Sequence, residues 1–186
     1  MAGVDLTEEF VLVSRSLTLR TKLDHAVEFL HGSALALPFG TANFDRAYTI
    51  HAGMNIADKL GFFREVRRVL KPEGLFAIFD LMRTAEGPIR YPVPWALTGE
   101  TSFVAHVNDY SDTLTAAGFH VTRERHRGAF ALDLMQRVMA RVAQGGPPAL
   151  GLHLLMGEPT KVMLTNVRAM IEEGSLTPVE LNARAV

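Results

Sequence analysis

The sequence contains no cysteine among its 186 residues. Disulfide bonds and thiolate metal ligands are therefore excluded, and this composition is compatible with a reducing cytoplasm, where we expect the protein. No stretch reaches the roughly 20 apolar residues of a membrane-spanning helix. The first residues, with Asp5, Glu8 and Glu9, lack the basic-then-apolar order of a signal peptide. The sequence thus predicts a soluble protein with no membrane partner.

A strong charge of one sign is also missing. The formal net charge is −1 and the basic residues are scattered, which argues against a nucleic-acid partner. The seven histidines are scattered too, and no two of them lie four residues apart with an acidic third ligand nearby. The sequence therefore predicts no metal site.

Apolar residues, by contrast, are abundant and regularly spaced. They make up 48% of the chain, enough for the core of a single domain over residues 1–186. Alternating or continuous apolar runs predict strands at 3–6, 26–31, 43–50, 75–79, 119–124 and 179–184. Helical spacing predicts helices at 7–22, 57–70, 107–117, 132–142 and 160–173. This alternation favours an α/β fold with a mostly parallel sheet and helices on both faces.

Two segments interrupt the alternation. Residues 82–106 lose periodicity and gather prolines around Tyr91 and Trp95, and we interpret them as a lid or insertion. The two aromatic rings can line a substrate pocket, or they can simply fasten an irregular segment to the core. Residues 130–158 contain a second apolar run, 150–157, which can form another pocket wall or a dimer contact, or can simply pack against the core.

Ligands of such sheets bind beyond the carboxyl ends of the strands, so candidate site residues follow strands. These positions are Asp5, Ser33–Leu35, His51–Asn55 and Asp80–Arg83. A carboxylate at Asp5 can accept hydrogen bonds from the two hydroxyls of a ribose, or it can cap the next helix. His51 can contact a ligand or serve as a hydrogen-bonded structural residue. Asn55 can orient a polar group of a substrate.

The helix at 57–70 carries many charges. Asp58 is predicted to be its N-cap. We interpret Glu65, Arg67, Arg68 and Lys71 as a solvated helix face with favourable charges near the C-terminus, and assign them no chemistry.

Five short motifs occur in order along the chain: Leu37-Pro38-Phe39, Phe44-Asp45, Asn55-Ile56, Arg68-Val69-Leu70-Lys71-Pro72 and Gly118-Phe119. Together they resemble class I S-adenosylmethionine (SAM) methyltransferases that modify small molecules, of the ubiquinone and menaquinone biosynthesis type. The resemblance extends over nearly the whole chain. It implies a Rossmann-like fold, SAM as cofactor, and methyl transfer to a small-molecule acceptor by in-line displacement, in which catalysis is mostly positioning.

The resemblance also implies which residues meet the ligands. The cofactor-binding residues would be Asp5, Leu6, Ser33, Ala34, Leu35 and His51. The substrate-binding residues would be Asn55, Tyr91 and Trp95. Asp5 would hold the ribose, and Ser33 stands in the adenine loop where the family usually has aspartate. A hydroxyl is a weaker, neutral partner for adenine. The catalytic residues remain unassigned.

The glycine-rich loop that opens the cofactor site of this family has no counterpart in the sequence, which starts at Met1-Ala2-Gly3. We therefore expect an N-terminally truncated version of the fold, with a sheet that lacks an inner strand. Its exposed edges would be covered by rearrangement, a homodimer or a partner chain. The alternative function is a non-catalytic methyltransferase-like module for binding or oligomerisation. A nicotinamide-dependent oxidoreductase is disfavoured, because the Gly-x-Gly-x-x-Gly motif is missing.

Overall fold

The computed structural model describes residues 1–186 and contains six strands and six α-helices. The strands are β1 (Ala2–Asp5), β2 (Glu28–His31), β3 (Phe44–Ile50), β4 (Leu70–Arg83), β5 (Phe119–His126) and β6 (Leu176–Ala185). The helices are α1 (Glu8–Arg20), α2 (Lys59–Val69), α3 (Val107–Ala116), α4 (Gly128–Gly145), α5 (Leu152–Met156) and α6 (Thr160–Glu172). Every predicted strand and helix is present, while α5 was not predicted. None of the helices combines the length and apolar character needed to span a bilayer.

The strands form two sheets, so the expectation of one mostly parallel sheet is wrong. A two-stranded sheet pairs β1 with β2 in parallel, and a four-stranded sheet has the order β3-β4-β6-β5. In the larger sheet only β3 and β4 are parallel, whereas β6 is antiparallel to both β4 and β5. The reason is that β6 enters between two strands that run in the opposite direction. Its helical connection from β5 looks in sequence like an ordinary parallel crossover.

The two sheets are separated between strands β1 and β3, which are not paired with each other. Strand β1 pairs only with β2, and β3 pairs only with β4, so each has one unpaired edge. The two sheets approach each other where the Tyr48 hydroxyl lies 3.7 Å from Met1 Sδ. The backbone groups along these two edges are consequently open to further pairing.

The main core lies between the four-stranded sheet and helices α2 and α3. Its largest fully buried side chains include Phe63, Phe76, Tyr110 and Phe119. A second apolar cluster, which includes Leu81, joins α6 and the segment before α3 to the opposite face. Helices therefore cover parts of both faces, as expected.

Strand β4 differs from its prediction at both ends. It begins directly after α2, and residues 71–74 bulge out of the ladder, because the partner of Phe44 is Leu70 whereas that of Arg46 is Leu75. It also continues through Asp80 to Arg83 along β6. Asp80 therefore lies inside the strand, and the expectation that residues 80–83 follow a strand is wrong. The reason is that the two apolar residues after Asp80 are buried on opposite faces of the sheet.

Candidate functional site

The carboxyl ends of β1 and β2 bring the first candidate residues together. Asp5 Oδ1 accepts a hydrogen bond from Thr7 N–H at 2.8 Å, and Asp5 O accepts one from Gly32 N–H at 3.0 Å. The His31 ring contacts Leu6 O at 2.9 Å. The carboxylate thus holds the residue at the N-cap position, Thr7, but does not itself cap the first turn of α1. Asp5 as a whole is nonetheless exposed and can accept further hydrogen bonds.

The loop after β2 is a tight turn. Ser33 Oγ accepts a hydrogen bond from Leu35 N–H at 3.1 Å, and Ser33 O accepts one from Ala36 N–H at 3.0 Å. The hydroxyl proton of Ser33 is still available as a donor. Ala34 N–H has no hydrogen-bond partner within the chain. This turn therefore offers two donors beside the exposed side chain of Leu35.

Two side chains of α2 hold this loop, which corrects the interpretation of that helix as a merely solvated face. Glu65 Oε2 accepts a hydrogen bond from Leu37 N–H at 2.8 Å. Arg68 donates to Leu37 O at 3.0 Å and to Phe39 O at 2.7 Å. The hydrogen bond from Arg68 lowers the pKa of Glu65, with the Leu37 N–H acting in the same direction. In the sequence, the only sign of this contact is a glutamate and an arginine three residues apart. Their spacing does not indicate that they bind a distant loop.

Asp58 accepts a hydrogen bond from Gly61 N–H at 2.8 Å, and its predicted role as N-cap of α2 is confirmed.

His51 begins the turn after β3 and has an unusual backbone. Its φ is +53°, and its N–H donates to Phe79 O at 2.8 Å. The imidazole ring lies against the Phe79 ring, with centroids 4.9 Å apart. Burial of the ring lowers the pKa of His51, although the residue as a whole is exposed. A neutral imidazole with one donor and one acceptor is therefore favoured at neutral pH.

Beneath this turn lies a buried polar network around Asp80, which the sequence indicated as a candidate position without indicating its partners. Asp80 is fully buried, and its carboxylate accepts hydrogen bonds from Ala52 N–H and the Tyr110 hydroxyl, both at 3.1 Å. Burial raises the pKa of Asp80 to about 6, against the opposing effect of these two bonds and of Lys59. Burial and the nearby Asp80 likewise raise the pKa of Tyr110. The only signal in the sequence was a lone carboxylate within an apolar run.

Lys59 completes the network from α2. Its Nζ donates to Gly53 O at 3.2 Å, to Ile56 O at 3.0 Å and to Phe103 O at 2.6 Å. It also lies 5.3 Å from the centroid of the Tyr110 ring. Burial lowers the pKa of Lys59, while Asp80 and Asp109 oppose the shift.

The predicted substrate residues lie in one region. The Asn55 amide donates to Trp95 O at 2.8 Å and to Thr101 O at 3.1 Å. Trp95 Nε1 donates to Ser102 Oγ at 3.0 Å, and both Trp95 and Tyr91 pack against the second apolar cluster. All three side chains thus help to fasten the segment before α3 to the core. Their contact with a substrate stays a prediction.

The structure brings no three His, Asp or Glu side chains together as a metal-binding group.

The sequence of the site region matches a known family. Residues 1–78, which include the turns after β1, β2 and β3, match the methyltransferase domain family. The match covers less than half of the chain. Over these residues it confirms the resemblance inferred from the short motifs, whereas Gly118-Phe119 lies outside them.

Named relatives agree with this assignment. The chain is 34% identical over 82 residues to erythromycin 3''-O-methyltransferase from Saccharopolyspora erythraea, covering 44% of this chain and 27% of that protein. It is 40% identical over 81 residues to demethylmenaquinone methyltransferase from Listeria monocytogenes, covering 43% of this chain and 33% of that protein. The methyltransferase match thus spans about a third or less of the length of these relatives.

Solved structures extend the likeness of fold to the rest of the chain. A provisionally named sarcosine dimethylglycine methyltransferase from Galdieria sulphuraria gives a TM-score of 0.81 at 19% identity, over 98% of this chain and 68% of that one. Geranyl diphosphate C-methyltransferase from Streptomyces coelicolor A3(2), solved with S-adenosyl-L-homocysteine (SAH), gives 0.77 at 14% identity, over 100% of this chain and 61% of that one. The fold is therefore that of an α/β methyltransferase.

Proposed function

We propose that the chain binds SAM at the carboxyl ends of β1, β2 and β3 and transfers its methyl group to a small-molecule acceptor. The observation that carries this proposal is the proximity of Asp5 to the turn at residues 33–35, within the segment that matches the methyltransferase domain family. The Gly32 N–H to Asp5 O hydrogen bond of 3.0 Å joins the two strand ends directly.

The donor and acceptor groups at this edge fit the ribose and adenine of SAM. Asp5 is an exposed carboxylate with spare acceptor capacity, as the two hydroxyls of a ribose require. The hydroxyl of Ser33 and the free N–H of Ala34 can donate to the ring nitrogens of adenine. Leu6 and Leu35 expose apolar surface beside them.

When bound, SAM supplies an activated methyl group for direct displacement by an acceptor atom. The chain's own residues then act mainly by positioning. The neutral His51 ring, at the end of β3, can hydrogen-bond either ligand. Asn55 and the segment with Tyr91 and Trp95 would form the wall that binds the acceptor and excludes water.

The acceptor is proposed to be small and partly apolar. The aromatic and aliphatic side chains of the segment before α3 support this, as do the names of the two relatives, which refer to erythromycin and demethylmenaquinone. The test is SAH formation with a panel of neutral, partly apolar acceptors and a matched panel of strongly anionic ones. Turnover confined to the anionic panel would overturn the proposed acceptor class.

A second candidate is a non-catalytic module for binding or oligomerisation. The unpaired edges of β1 and β3 favour it, together with the exposed side chains of Tyr48, Ile50 and Leu75 on one face of the larger sheet. A folded chain that forms stable dimers in sedimentation equilibrium but binds neither SAM nor SAH would favour this candidate. SAH binding by the monomer would favour the enzyme.

A further inference from the structure

The turn at residues 51–56, which we call the β3 turn, is held from two sides. Below it, the Asp80 carboxylate accepts the Ala52 N–H. Above it, Met54 O accepts a hydrogen bond from Phe103 N–H at 2.7 Å, and the Asn55 amide donates to Trp95 O. The turn therefore connects the cofactor side of the proposed site with the segment that forms its substrate wall.

The fit of Asp80 beneath the β3 turn requires a residue without a side chain. A Cβ placed on Gly53 would lie 2.8 Å from Tyr110 Oη and closer still to Asp80 Oδ2. Glycine thus lets the backbone approach the carboxylate closely. A buried carboxylate is costly unless it is hydrogen-bonded, and an apolar residue would fill this part of the core at lower cost. A positioning role explains why a carboxylate stands there.

We propose that Asp80 is a positioning residue, whose carboxylate fixes the β3 turn and thereby sets how well His51 and the substrate wall receive their ligands. The part of the proposal that concerns ligand binding rests on the proposed function. The part that concerns the β3 turn does not depend on it. Charge-assisted hydrogen bonds are about twice as strong as neutral ones, so the ionised carboxylate holds Ala52 N–H more firmly than the protonated one. The hydrogen bond to Ala52 is therefore strongest above the pKa of Asp80, which is about 6, although burial makes the ionised carboxylate costly for the stability of the whole fold.

Other ionisable groups surround this carboxylate and must be separated from it. Lys59 faces it from α2 and Tyr110 from α3, while Asp109 lies near Lys59. Tyr110 stays neutral between about pH 5 and about pH 7.5, because its pKa is raised above its usual value. The pKa of Lys59 is lowered by burial, so Lys59→Arg, which keeps the positive charge, is measured as well. His51 changes charge in this range, so the variant His51→Gln is measured alongside.

The first experiment measures amide hydrogen exchange at residues 51–56 by NMR. In Asp80→Asn, which keeps the shape but loses the charge, exchange at Ala52 should be about tenfold faster than in the wild type, with little change in the core strands. Asp45→Asn, which removes an exposed carboxylate of β3, is the matched control and should leave the turn unchanged. Equal exchange at Ala52 in wild type and Asp80→Asn, or a uniform increase throughout the chain, would overturn the proposal.

The second experiment measures SAH affinity against pH. Wild type and His51→Gln should both bind about tenfold more weakly at about pH 5 than at about pH 7.5, whereas Asp80→Asn should bind weakly at both. A pH dependence that persists in Asp80→Asn but vanishes in His51→Gln would overturn the role of Asp80 in ligand binding. If the wild type binds no SAH at all, the proposed function fails, and the exchange experiment still decides whether Asp80 fixes the turn.

Discussion

Arg68 and Glu65, three residues apart on α2, form an ion pair of 2.8 Å that holds the loop after β2. Arg68 donates in addition to the backbone of Leu37, whose N–H is bound by Glu65. The pair thereby links a core helix to the loop proposed to receive adenine. Since the ion pair is partly exposed, its value lies in these backbone contacts more than in its charge attraction.

We expect Arg68→Ala to weaken SAH binding about tenfold, because the loss of its hydrogen bonds to Leu37 O and Phe39 O frees the loop. Isothermal titration calorimetry checks this. Arg64→Ala, on the same helix but exposed, is the control and should bind as the wild type does. Unchanged affinity in Arg68→Ala would separate this loop from the ligand site.

Gly53→Ala should destabilise the fold by about 1–3 kcal/mol, because the added methyl group overlaps the Asp80 carboxylate and the Tyr110 hydroxyl. Urea unfolding measures the effect. Gly40→Ala is the control, since no atom lies within 4 Å of its added methyl group. If the two variants were equally stable, the close approach of Gly53 to Asp80 would be refuted.

The stability of the protein should depend on Asp80 in a defined direction. Its pKa is about 6 in the folded state, against 3.8 for an unperturbed aspartate, so the folded state binds more protons between these values. The contribution of Asp80 to the free energy of unfolding therefore falls by about 3 kcal/mol as the pH rises from about 4 to about 6. Above about pH 6 it stays constant.

Asp80→Asn has no carboxylate to titrate, so its free energy of unfolding should not fall in this way. In urea unfolding, the stability of Asp80→Asn relative to the wild type should therefore increase as the pH rises from about 4 to about 6. Asp45→Asn is the control of opposite sign, because the hydrogen bond from Lys71 lowers the pKa of Asp45. The stability that Asp45 contributes is present at neutral pH and is lost as the pH falls. A constant stability difference between Asp80→Asn and wild type would show that Asp80 does not titrate in this range.

Asn55→Asp should loosen the segment before α3, because a carboxylate cannot donate to Trp95 O and Thr101 O. We expect faster proteolysis between residues 95 and 103 and a loss of about 1–2 kcal/mol of unfolding free energy. Asn43→Asp, at an exposed position, serves as the control. Equal proteolysis of the two variants would indicate that Asn55 does not fasten this segment.

The sequence predicted local structure better than the arrangement of the sheet. Apolar spacing located α2 and β3 to within about two residues, because it records directly which side of each element is buried. The antiparallel insertion of β6 between β4 and β5 was missed, since the direction of a strand leaves no periodic signal.

The sequence predicted those site residues that directly follow a strand. It did not predict contacts between residues that are far apart in the sequence. Asp5 and Ser33 are adjacent to strand ends in sequence, so their place at one edge followed from topology. The contacts of Asp80 with Ala52 and Tyr110 join residues about 30 positions apart. No spacing rule connects residues at such separations without the structure.

The most direct test of the central claim is calorimetric binding of SAH to the purified chain and to Asp5→Ala, with Asp24→Ala as an exposed control. The account predicts saturable binding by the wild type and the control, weakened about tenfold or more in Asp5→Ala by the loss of charged hydrogen bonds to the ribose. A folded wild type that binds no SAH, or equal binding by Asp5→Ala, would contradict the proposed cofactor site.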